Sequence, residues 1–143
     1  MRSKLLGEGS WVLVFETGDE VSETLLAFAR EHGITAADFT AIGAFREVTL
    51  AYFDWESKEY DEQPVSEQVE VVALTGNLTT DHGEPQLHAH IAVGFPDTSV
   101  RGGHLVSAVV RPTLELFLRE APTRLVKVPD EETGLSLIDP DAS

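Results

Sequence analysis

Three of the chain's five histidines fall in one short span: His88 and His90 in Gln86-Leu87-His88-Ala89-His90-Ile91-Ala92-Val93, and His104 in Gly102-Gly103-His104. Neutral imidazoles are ligands for zinc and related divalent ions, and three of them with an open fourth position lower the pKa of a bound water to about 7. The apolar run around His88 and His90 reads as a β-strand. Successive strand side chains point to opposite faces, so the two histidines share a face while Ala89, Ile91 and Val93 take the other. Two residues of rise set their Cβ atoms roughly 7 Å apart, within reach of one ion for two leaning rings. A third ligand must come from elsewhere. His104, after a loop rich in Gly and Pro, is the nearest candidate. The same spacing also fits a strand with two solvated histidines.

The other histidines read as structural or solvated. His82 sits in the turn Asp81-His82-Gly83-Glu84-Pro85, and His32 in the last turn of an amphipathic helix. Charge stabilisers or a general base, which hydrolysis would require, are available only as candidates: Arg46, Glu47, Asp81, Glu84 and Arg101. Each reads first as a surface residue. Arg101, two residues before the Gly that leads into His104, is the candidate for an anionic ligand. Ser99 and Ser107 lack a nucleophile-elbow setting, and no phosphate-cradling or dinucleotide fingerprint is present.

The elements that must hold these residues follow from the apolar patterning. Trp11-Val12-Leu13-Val14-Phe15-Glu16 is a β-rich run. Val21, Leu25, Phe28 and His32 recur at helical spacing, predicting a helix over about Glu20 to His32, capped by Asp19 or Ser22 and stopped by Gly33. Phe39 to Phe45 and Val48 to Phe53 form a long β pattern interrupted near Gly43. Asp54 to Gln68 is acidic, holds Pro64, and reads as a hairpin connection or exposed loop. Strands over Val69 to Thr79 and Gln86 to Val93 pair through the intervening turn. Gly94 to Gly103 reads as a loop whose paired glycines lay His104 against a neighbouring strand. Val106 to Val110 and Thr113 to Arg119, separated by Arg111-Pro112, are further strands. Leu125 to Val128 is a short last strand before an acidic, partly extended tail from about residue 129. One helix and about six strands make an α+β protein with a largely antiparallel sheet. Strand positions apolar on both alternations suggest that the second face of the sheet is covered by an oligomer partner.

With 143 residues, 42% hydrophobic and 24% charged, the chain reads as one globular domain over 1–143. No apolar run approaches the roughly 20 residues of a membrane span. Met1-Arg2-Ser3-Lys4-Leu5-Leu6-Gly7-Glu8 does not resemble a signal peptide, so a cytoplasmic location is expected. The lack of cysteine excludes disulfides, thiolate metal sites and a Cys nucleophile. A net charge of −15, with three lysines and no adjacent basic pair, disfavours direct binding to nucleic-acid phosphates. The acid excess also suits a salty cytoplasm.

His88-Ala89-His90, the later Val100-Arg101-Gly102-Gly103-His104-Leu105, Ala41-Ile42-Gly43-Ala44-Phe45 before an aromatic strand, and the Asp19-to-Gly33 helix together resemble the plants-and-prokaryotes conserved (PPC) domain. The resemblance spans roughly the whole chain. It is to the stand-alone prokaryotic type, because the Arg-Gly-Arg-Pro AT-hook core of plant members is absent. It implies a compact homotrimeric α+β fold and a zinc site made by His88, His90 and His104. The histidine constellation points to a small-ligand site with metal-assisted hydrolase or lyase chemistry, and the resemblance offers the alternative of a DNA-associated assembly module without enzymatic activity.

Overall fold

The computed structural model describes residues 1–142; Ser143, the last residue of the expected 1–143 unit, lies outside the described residues. The helical spacing produces one helix, α1 (Val21–His32), which buries Val21, Leu25, Phe28 and Ala29. Its cap is neither Asp19 nor Ser22 but Glu20, whose carboxylate accepts the Glu23 backbone N–H at 2.7 Å. The longer side chain supplies the same first-turn acceptor that shorter capping residues provide. Gly33 closes the helix in the left-handed region at φ 66°, which glycine reaches without a Cβ penalty. His32 belongs to the packing: its ring stacks on Phe28 at 4.2 Å, and its Nδ1 lies 3.0 Å from the Phe28 carbonyl.

The strands are β1 (Arg2–Gly7), β2 (Ser10–Glu16), β3 (Ala37–Asp54), β4 (Glu59–Val65), β5 (Val69–Asp81), β6 (Glu84–Gly94), β7 (Val100–Glu120), β8 (Val126–Pro129) and β9 (Ser136–Asp139). Pairing is antiparallel except for a single parallel bridge, Thr80 with Val126, between β5 and β8. A mostly antiparallel sheet with one helix is therefore the architecture, with more strands than the apolar patterning announces. β1 and β4 escape that patterning because they are edge strands: every residue of β1 is exposed, as is all of β4 except Val65. Pro64 is tolerated on such an edge, where no ladder donor is needed on the open side. The acidic segment after Pro129 turns back through Gly134, and β9 pairs with β8.

Two expected breaks are bulges inside continuous strands. The β3–β7 ladder shifts register between Gly43 and Phe45, opposite Arg111-Pro112, and again between Phe45 and Glu47 and between Thr49 and Leu50. Such shifts bend a strand without ending it. Bent in this way, β3 pairs with β5, β5 with β6, β6 with β7, and β7 again with β3. These ladders make a closed circuit. Leu50, Leu74, Leu78, Ala89, Ile91, Val93 and Leu105 are buried in the core cluster they share with the inner face of α1. Among the described residues, no helix is long and apolar enough to cross a membrane.

The expected loop Gly94 to Gly103 is shorter than its composition suggests. β6 runs on to Gly94 and β7 begins at Val100, so Gly102 and Gly103 are strand residues. Neither has a positive φ. Close approach is what requires them: a Cβ on Gly102 would stand 2.9 Å from the Ile91 carbonyl oxygen, and one on Gly103 would stand 2.6 Å from that of Ala51. Gly103→Ala is expected to destabilise the protein by about 1–3 kcal/mol, the cost of overpacking a tight site, read as a lower midpoint in urea.

Candidate metal centre

Alternation along β6 decides where its histidines go. Ala89, Ile91 and Val93 are buried in the core, so His88 and His90 stand on the opposite face. β7 runs antiparallel beside β6, and its register sets His104 directly across from His90. The third histidine thus arrives by strand pairing rather than by a loop folding back. Ring centroids are 5.2 Å apart for His88 and His90, 5.2 Å for His88 and His104, and 5.7 Å for His90 and His104. One ring nitrogen from each lies within 4.8 Å of the other two. Nitrogens bound tetrahedrally to zinc at about 2.0–2.1 Å sit roughly 3.4 Å apart, so modest side-chain rotation converts this cluster into a coordinating set.

The surroundings suit a cation-binding set. His104 Nδ1 is buried and has no hydrogen-bond partner among the described residues. A buried polar atom left in that state costs free energy, which a metal ion would recover. Burial is the main cause that pushes the His88 imidazole down to about 4, with the positive charge of Lys127 and the neighbouring His104 and His90 adding to it. Burial likewise lowers His104, assisted by His90 and Lys127. Neutral imidazoles with free lone pairs are the form that binds metal. Asn77, directly across the β5–β6 ladder from His88, has a buried Oδ1 without a partner, an acceptor of the kind that orients a ligating ring.

A cavity of about 350 Å³ opens over His88 and His104. Tyr60 of β4 forms part of its wall, with its ring 4.8 Å from that of His104. Lys127 of β8 and Ser136 to Ile138 of β9 close the other side. Sequence reasoning missed both. β4 read as a loop, and Lys127 sits on a short strand that pairs far along the chain. Arg101 is not brought to the histidines: it is exposed, with its guanidinium 4.7 Å from the Phe95 ring centroid. Arg46 is engaged with Glu47 at 2.8 Å, and Glu84 with Arg30 at 3.1 Å. Asp81 lies 3.5 Å from His82 Nε2, and His82 is solvated in its turn as expected.

The Plants and Prokaryotes Conserved (PCC) domain family matches residues 3–122. Among solved structures, a candidate DNA-binding protein from Bacteroides thetaiotaomicron is 32% identical with TM-score 0.92, over 96% of each chain. A metal-containing protein from Archaeoglobus fulgidus is 34% identical with TM-score 0.85, over 92% of this chain and 93% of that one. A plant- and prokaryote-conserved protein from Pyrococcus horikoshii is 31% identical with TM-score 0.86, over 91% and 90%. Among curated protein sequences, none matches this chain.

The lowered His88 value carries a sign that can be checked in metal-free protein. Unfolded chains take up the proton below about 6.5 whereas the folded His88 resists until about 4. The unfolded state therefore binds more protons in that window, and stability falls as pH drops from 6.5 toward 4. Urea midpoints of chelator-treated protein should decline across this range, and His88→Gln should flatten the decline.

Proposed function

The chain belongs to the Plants and Prokaryotes Conserved domain family, and from that premise we propose that it is a metal-binding protein whose His88, His90 and His104 hold one zinc ion facing a small-ligand cavity. The observation that carries this reading is the convergence of three ring nitrogens, one of them buried and unpartnered, from two adjacent strands. A divalent cation bound there supplies Lewis-acid polarisation of a ligand oxygen, which suits hydrolase or lyase chemistry. The chain's own residues do the rest. His88 and His104, kept neutral by burial, present lone pairs to the cation. Tyr60 and the β8–β9 hairpin line the approach to the cavity. The relative from Archaeoglobus fulgidus, metal-containing by its name, supports the same reading.

A DNA-associated role finds support in the name of the Bacteroides relative but meets a net charge of −15, which opposes phosphate contacts. Zinc is therefore the favoured assignment. Purified protein reconstituted with zinc should hold one ion per chain by elemental analysis. Loss of a ligand in His88→Ala or His104→Ala should weaken binding by more than the about 10–100-fold that loss of an outer-sphere partner costs. Zinc retained at full occupancy in both variants would overturn the assignment.

The assembly we infer is a homotrimer. Ile42 of β3, Val72 of β5 and Phe117 of β7 are large apolar side chains exposed on three neighbouring strands. Exposed apolar positions clustered in this way mark contact surfaces. Sedimentation velocity should give a trimer for the native chain, and Phe117→Asp should shift it to monomer while leaving the far-ultraviolet circular dichroism unchanged.

A further inference from the structure

One wall of the histidine cavity is built by residues beyond the family match. The match ends at residue 122, whereas β8 and β9 follow it and bring Lys127, Ser136 and Leu137 against the cavity. Lys127 is one of three lysines in a chain of net charge −15, yet it is half-buried beside a histidine cluster. Among the described residues, no carboxylate lies within salt-bridge distance of its ammonium. Asp81 is the acid whose charge it feels. An ammonium placed next to a site for a divalent cation raises the electrostatic cost of both, since like charges repel most where water is scarce. The pocket therefore lacks a negative charge, and a ligand is the group that can supply it. Leu87, Leu135 and Ile138 make much of the remaining lining apolar, which suits a short hydrocarbon body over a bare inorganic ion.

Resting on the metal site argued above, we propose that Lys127 is the anion-recognition residue of this cavity and that its ligand is a small organic carboxylate. The ammonium offsets the carboxylate charge, and the leucine-lined wall of the hairpin takes the hydrocarbon part. Specificity thus resides in the β8–β9 hairpin, which follows the matched residues 3–122.

The test is calorimetric titration of zinc-reconstituted and chelator-stripped protein with butyrate, with its neutral isostere butyramide, and with inorganic phosphate. Zinc-loaded protein should bind butyrate roughly tenfold more tightly than butyramide, the scale of one charge-assisted contact. Lys127→Gln should abolish that preference with zinc content unchanged, and Lys127→Arg should restore it. Lys127→Met serves as a second neutral variant should the Gln variant fail to fold. Butyrate binding by Lys127→Gln or Lys127→Met equal to that of the native chain, at full zinc occupancy, overturns the assignment. Phosphate binding more tightly than butyrate overturns the carboxylate class. If the native chain takes up no zinc, the metal reading fails separately, and Lys127 is judged on the stripped protein. There a butyrate preference lost on neutralising Lys127 upholds its role, and no preference in the native chain refutes it.

Discussion

The close approach of β6 and β7 is the constraint on which the rest of the molecule depends. This ladder completes the circuit of β3, β5, β6 and β7, and the same ladder sets His104 across from His90. Gly102 presents no side chain to the Ile91 carbonyl within this ladder, and Gly103 presents none to the Ala51 carbonyl of β3 on the other side of β7. Core and candidate site are therefore two faces of one piece of backbone. Ala89, Ile91 and Leu105 seal the interior, while His88, His90 and His104 stand together outside it. A strand pair anchored by that much buried apolar surface holds ligands more firmly than a loop does, which is the condition a metal site needs.

What was legible in the sequence was whatever local periodicity could express. The α1 stripe of Val21, Leu25 and Phe28 and the shared face of His88 and His90 both follow from side-chain spacing along one element. His104 reaches the other two histidines by strand pairing, which Gly102-Gly103 alone does not distinguish from a loop folding back. Gly102-Gly103 looks the same in sequence whether glycine serves a turn or a close strand contact, and only the position of Ala51 tells them apart. β4 and β9 were hidden because edge strands need no apolar alternation, and with them went Tyr60 and the hairpin wall beside Lys127. Those contacts join residues far apart in sequence, such as Tyr60 with His104 and Lys127 with His88, a separation at which local patterns carry no information.

The electrostatics are arranged against the grain of the whole. An acidic surface surrounds a corner where neutral imidazoles, an unpartnered ring nitrogen and a half-buried ammonium meet. Burial lowers the His88 and His104 imidazoles, so at neutral pH these two offer lone pairs rather than positive charge. A cation then fits the histidines, and an anion fits Lys127.

The most direct measurement of the central reading is an anomalous difference map collected at the zinc edge from crystals of zinc-reconstituted protein. One strong peak bounded by His88, His90 and His104, with nitrogen distances of about 2.0–2.1 Å, is the expected result. A map with no peak among these three rings, or with its main peak elsewhere on the chain, would contradict it.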